Sequence, residues 1–146
     1  KDLKAVGINL EIIQGEWSEL GQAFAGGTAD LAYLSWWADY PEAENFLYPV
    51  FHSANSGAKG NRAYYADAAV DEAIETAMLT AGEGERLLQY AAIEKSIVEA
   101  APWVFLWHSQ TDTVVQPWVR GYTLHPIYNG NKMTEVWLDP AAKAGQ

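Results

Sequence analysis

The fold class this sequence predicts is α/β, a mixed sheet with flanking helices, and three observations predict it. Residues 31–37, LAYLSWW, are apolar on both sides of an extended chain: Leu31, Tyr33, Ser35 and Trp37 point one way, and Ala32, Leu34 and Trp36 the other. Neither set is polar, which is the pattern of a strand covered on both faces. Residues 8–13 alternate apolar and polar side chains, as a half-covered strand does. Residues 67–79 and 85–100 carry apolar side chains at helical spacing.

Taken in order, KDLKAVG reads as the closing turn of a helix whose start would lie before Lys1, with Gly7 ending it. The strand at 8–13 follows, then a short helix over 16–25 with Ser18 as candidate cap, closed by Gly26 and Gly27. With the 31–37 strand these make a β-α-β unit, whose crossover should be right-handed. Pro41 drives Tyr40 out of the helical region, so the strand gives way to a corner at 38–40. A helical segment is expected over 42–51, with Phe46, Leu47, Val50 and Phe51 on one side and Pro49 limiting its length.

HSANSGAKGNR, residues 52–62, has no apolar periodicity and reads as an exposed loop. Asp67 opens a helix to about Leu79, with Val70, Ala73, Ile74, Ala77 and Met78 facing inward. AGEGE separates it from the strongest helix, 85–100, whose inward stripe is Leu87, Leu88, Ala91, Ile93, Ile97 and Val98 and which Pro102 stops. The two should pack as a hairpin. Residues 103–107 read as another covered strand and 111–116 as its partner, before a tail punctuated by Pro and Gly.

At 146 residues the chain has the length of one domain. Its 19 acidic against 9 basic side chains, a net charge of −10, argue against nucleic acid or an anionic membrane as partner. There is no cysteine, so no disulfide framework and no thiolate metal site. Seven Trp and eight Tyr are enough rings to form a binding surface as well as a core.

Chemistry is sparse. His52, His108 and His125 are far apart, with no second ligand at helical spacing, so metal binding is not expected. No Ser sits in a glycine-flanked nucleophile turn. The acid pairs Glu42/Glu44 and Glu83/Glu85 lie at predicted helix starts, where carboxylates favour the dipole. Neither AGG at 25–27 nor GEG at 82–84 is followed by the lysine a phosphate loop needs. No catalytic residue and no cofactor are expected. Asp39 stands out because it ends the apolar run: a carboxylate at the carboxyl end of a strand, beside Trp36 and Trp37, can take a cation by charge and by aromatic face. The alternative is that it only closes a turn before Pro41.

Four ordered blocks, WWADYPEAENFLYPVFHS, YYADAAVDEAIETA, ERLLQYAAIEKSIVEAAPWVFLWHS and QPWVRGY, resemble the C-terminal part of the family-5 extracellular solute-binding proteins, the oligopeptide and dipeptide receptors of ABC importers. The resemblance runs from about Gly7 to the end. It implies one lobe of a two-lobed type II periplasmic-binding-protein fold, with residues 1–120 as a partial ligand-binding lobe and 121–146 as a tail returning to the other lobe. It also implies a non-enzymatic role in peptide uptake, permease subunits and a missing N-terminal lobe as partners, and a place in the periplasm or, as a lipoprotein, on the outer face of the cytoplasmic membrane.

In that family an aspartate of a WxAD-type segment accepts the ligand's α-ammonium group; Asp39 matches it and Trp36 matches its tryptophan. Trp37 departs from the enteric oligopeptide receptors, where a smaller residue is expected, and would narrow or roof a side-chain pocket. Tyr40 completes the aromatic edge. His108 and Ser109 match a strand end that borders the ligand, with a satisfied strand-end histidine and a surface serine as the plain alternative. Two other functions compete: a receptor for an oligosaccharide or metal chelate, since stacked indoles suit sugars too, and an aromatic-surface protein interaction domain.

Overall fold

The structure, a computed structural model, describes residues 1–110, 112–124 and 133–144. Its centre is helical. Helices α3 (Glu44–Phe51), α4 (Ala68–Leu79) and α5 (Glu83–Ala100) enclose one core of Leu47, Val50, Phe51, Val70, Ile74, Ala77, Tyr90, Ile93 and Ile97. Burying side chains such as Ile74 and Ile97 contributes roughly 1.5 to 3 kcal/mol apiece. Trp36, Ala43, Tyr48, Tyr65, Ala73 and Trp103 pack around the rim.

Helix α4 starts where expected, because the Asp67 carboxylate accepts the orphan N–H groups of Ala69 at 2.9 Å and Val70 at 3.3 Å. It packs on α5 as the expected hairpin. The inward face of α5 differs from the expected stripe: Tyr90, Ile93 and Ile97 are buried, whereas Leu87, Leu88 and Val98 are exposed. Tyr90, Ile93 and Ile97 follow each other at three- and four-residue steps, and an aromatic ring there reaches the core in place of the leucines. Met78 of α4 is likewise exposed. Helix α5 ends on Ala101 in the left-handed region, φ 51°, directly before Pro102.

Toward the amino end, α1 (Asp2–Ala5) is a single turn followed by Gly7 at φ +87°, and α2 (Trp17–Ala25) starts at Glu16. Ser18 lies inside α2 and caps nothing. The expected strands at 8–13, 31–37 and 103–107 are neither helical nor paired, and 112–116 is the same; Thr111 lies outside the described residues. No β-α-β unit therefore closes among the described residues. A strand exists only through a ladder partner, and these segments find none, so Ile12, Ile13, Leu31, Tyr33, Val104 and Leu106 remain exposed rather than covered. They do approach one another: the rings of Tyr33 and Trp107 lie 6.0 Å apart.

Among the described residues the ladder is β1 (Val119–Arg120) with β2 (Trp137–Leu138), antiparallel, with Val119 opposite Leu138. Arg120 meets Asp139 at 3.4 Å, and Asp139 opens α6 (Pro140–Ala144) by accepting the N–H groups of Ala141 and Ala142. Those backbone donors, that of Ala142 foremost, hold the Asp139 carboxyl below its ordinary value. Leu124, Trp137 and Leu138 are exposed, whereas His125, Ile127 and Tyr128 lie outside the described residues.

Residues 52–62 are not the exposed loop their composition predicts. The segment forms two 3₁₀ turns, Ser53–Asn55 and Gly57–Lys59, wound around a fully buried Asn61. Asn61 donates to the carbonyls of His52 at 3.2 Å and Tyr65 at 2.7 Å, and its side-chain oxygen accepts the Tyr65 N–H at 3.1 Å. Gly60 is required here: a Cβ would sit 2.4 Å from the Pro49 carbonyl oxygen, at φ +144°. The polar residues that made the segment look like an exposed loop instead satisfy its buried backbone.

Candidate functional site

Burial alternates along the end of the 31–37 run. Trp36 is half-buried and Ala38 is buried, while Trp37, Asp39 and Tyr40 are exposed. The chain is therefore held by its inward residues and presents Trp37 and Asp39 outward from alternate positions.

Two contacts fix this edge, and both come from Asn45 in the first turn of α3. Pro49 has no N–H, so the carbonyl four residues back, that of Asn45, lacks its helical donor. The Trp36 indole N–H fills the vacancy at 2.7 Å. The side-chain oxygen of Asn45, itself buried, accepts the backbone N–H of Asp39 at 2.8 Å. The helix thus continues through Pro49 to Phe51, rather than being cut short by it.

Three carboxylates crowd residues 39–44, and their surroundings separate them. Glu42 takes the Arg86 guanidinium at 3.1 Å, and Arg86 also donates to the Thr80 carbonyl at 3.0 Å, which ties the corner to α5. Glu44 accepts a short hydrogen bond from the Tyr40 hydroxyl. That bond, more than any other influence, raises the Tyr40 pKa above the ordinary tyrosine value, with Asn45 acting in the opposite sense. The Asp39 carboxylate meets no hydrogen-bond or ion-pair partner among the described residues; its backbone N–H alone is engaged. An anchored loop thus carries an exposed carboxylate with no cation beside it among the described residues, flanked by exposed Trp37 and Tyr40 rings, an arrangement suited to an external cation.

His108 and Ser109 are exposed, directly following the Trp107 whose ring meets Tyr33, and neither makes a hydrogen bond or ion pair with Asp39 or Tyr40 among the described residues. His52 is buried, its Nε2 3.2 Å from Glu75 and its Nδ1 accepting the Ala54 N–H at 3.1 Å, so it belongs to the junction of α3 and α4. Among the described residues no three His, Asp or Glu side chains converge as metal ligands. The sequence reading missed Asn45 and Arg86. The signal for Asn45 was in plain view, since a proline at helical position i+4 always leaves a carbonyl to be satisfied.

The model of the bacterial extracellular solute-binding proteins, family 5 Middle, matches residues 1–58. Over 138 residues, 94% of this chain and 26% of the relative, the sequence is 32% identical to the di/tripeptide-binding protein 2 of Pseudomonas aeruginosa (strain UCBPP-PA14). The chain belongs to the family-5 extracellular solute-binding proteins. It is 28% identical over 120 residues to the periplasmic oligopeptide-binding protein OppA of Escherichia coli (strain K12), covering 82% of this chain and 21% of that one. This family-5 chain spans about a quarter of the length of the relatives it matches.

Among solved structures, the ABC transporter-associated periplasmic binding protein DppA from Helicobacter pylori, in complex with peptide STSA, matches with a TM-score of 0.74 and 23% identity, over 94% of this chain and 27% of that one. The fold is therefore shared with part of a periplasmic binding protein. The α/β class, as in one lobe of the type II fold, is borne out even though the expected strands carry no ladder among the described residues of this family-5 chain.

Proposed function

We propose that this protein is the substrate-binding component of an ABC importer for peptides, and that Asp39 receives the ligand's α-ammonium group. The observation that carries the reading is the contrast among carboxylates: Glu42 and Glu44 are engaged internally, and Asp39, fixed by its own backbone, is left for an external cation. Relatives named for di/tripeptides and oligopeptides support the ligand class. In this reading Trp37 and Tyr40 supply the aromatic walls, Trp36 anchors the segment, and His108 and Ser109 border the ligand further along.

Residues 1–120 form part of the ligand-binding lobe and 121–146 return toward the other lobe. Closure of the two lobes over an extended peptide is the state the membrane permease reads. The protein performs no catalysis and works in the periplasm, or on the outer face of the cytoplasmic membrane as a lipoprotein.

Mass spectrometry of ligand released from the intact protein on mild denaturation tests this directly. Short peptides with free amino termini are the expected species. A sugar or a metal chelate in their place would overturn the peptide assignment.

A further inference from the structure

We infer that Asn45 is a positioning residue for ligand capture, acting through Asp39. The inference rests on the peptide reading above and adds a residue that would touch no ligand. Asn45 is buried, at 7% exposure, on the first turn of α3, and it engages both ends of the WWAD segment: its main-chain oxygen takes the Trp36 indole at 2.7 Å and its side-chain oxygen takes the Asp39 N–H at 2.8 Å. Pro49 makes the first of these contacts available by withholding the N–H that would occupy it.

The two contacts divide the work. The indole bond uses main chain and survives any substitution at 45, so it holds the segment against the core. The Asp39 bond uses the side chain, and it is the contact made at Asp39 itself, so it acts on the carboxylate's direction more closely than the Tyr40–Glu44 and Glu42–Arg86 contacts further along the corner. Without it the stretch from Ala38 to Asn45 keeps the turn bond from the Glu42 N–H to the Tyr40 carbonyl at 2.9 Å, the Tyr40–Glu44 bond and the Glu42–Arg86 pair, but loses the tie between Asp39 and α3. The carboxylate would then sample orientations that do not meet the ammonium.

A double-mutant cycle in the intact protein tests this, with peptide affinity read by calorimetry and folding by thermal unfolding. Asn45→Ala should weaken binding of a free tripeptide about 3- to 10-fold, the scale of one neutral hydrogen bond. In an Asp39→Asn background the same change should cost less than about twofold, because the group it orients no longer carries charge. Asn45→Gln keeps an amide oxygen that can accept the Asp39 N–H and adds no charge beside Asp39 and Glu44, so it should recover at least half of the alanine loss, which also covers the case in which the alanine variant fails to fold. Equal losses from Asn45→Ala in both backgrounds, or an Asn45→Gln loss in a folded protein as large as that of alanine, would overturn the inference. If Asp39→Asn alone costs nothing, it is the peptide reading that fails.

Discussion

Replacing Asn61 by alanine should destabilise the 146-residue chain by about 3 kcal/mol, and the figure follows from three hydrogen bonds worth about 1 kcal/mol each in net terms. The side chain is 0% exposed, donates to the carbonyls of His52 and Tyr65, and accepts the N–H of Tyr65. Alanine leaves those three backbone groups without the partner they have in a fully buried site. For a domain with 5 to 15 kcal/mol of stability the loss is a sizeable share. Asn61→Asp should be worse than alanine, since it turns a carboxylate oxygen toward the two carbonyls that the amide now satisfies. Urea unfolding of wild type and both variants measures the effect, and amide exchange at Gly57, Asn61 and Tyr65 localises it. An alanine variant within about 0.5 kcal/mol of wild type would show that Asn61 does not organise this segment, and an aspartate milder than alanine would refute the argument from donors.

Two further outcomes follow from the same structure. Ile74→Ala should cost about 2 to 5 kcal/mol because the side chain is fully buried, whereas Leu88→Ala, at 75% exposure, should fall within about 0.5 kcal/mol; comparable losses in urea unfolding would contradict the orientation of α5. Tyr40 has its pKa raised above 10.0, mainly by its bond to Glu44, so the neutral phenol is favoured in the folded state; that contribution is complete below about pH 10 and is lost as pH rises through the folded value. Glu44→Gln should bring the Tyr40 titration down toward the ordinary value in a ring-labelled NMR experiment, and an unchanged titration would dismiss the Tyr40–Glu44 pair.

What the sequence made legible was local. The α4 cap at Asp67, the α4 and α5 helices and the corner at Pro41 each rest on residues a few positions apart. The strands were not legible as strands of this chain, because a β pattern states only that a segment suits a ladder, and the ladder depends on distant partners. The 52–62 segment was misjudged because a buried Asn serving its own backbone has the same composition as a solvated loop. At the candidate site, the place of Asp39 between two indoles and a proline is legible, and Pro49 marks the Asn45 carbonyl as needing a donor, but that the Trp36 ring supplies it, and that the Asn45 side chain holds the Asp39 N–H, depends on the fold.

The central claim is that Asp39 pairs with a peptide's amino terminus, and one calorimetric comparison tests it most directly: wild type and Asp39→Asn, each titrated with a tripeptide and with its N-acetylated form. The account predicts that Asp39→Asn costs about 2 to 5 kcal/mol for the free peptide, the penalty of leaving an enclosed ammonium without its charge partner, and little for the acetylated one. Equal affinity of wild type and Asp39→Asn for the free peptide would contradict it and leave Asp39 as a residue that closes the turn before Pro41.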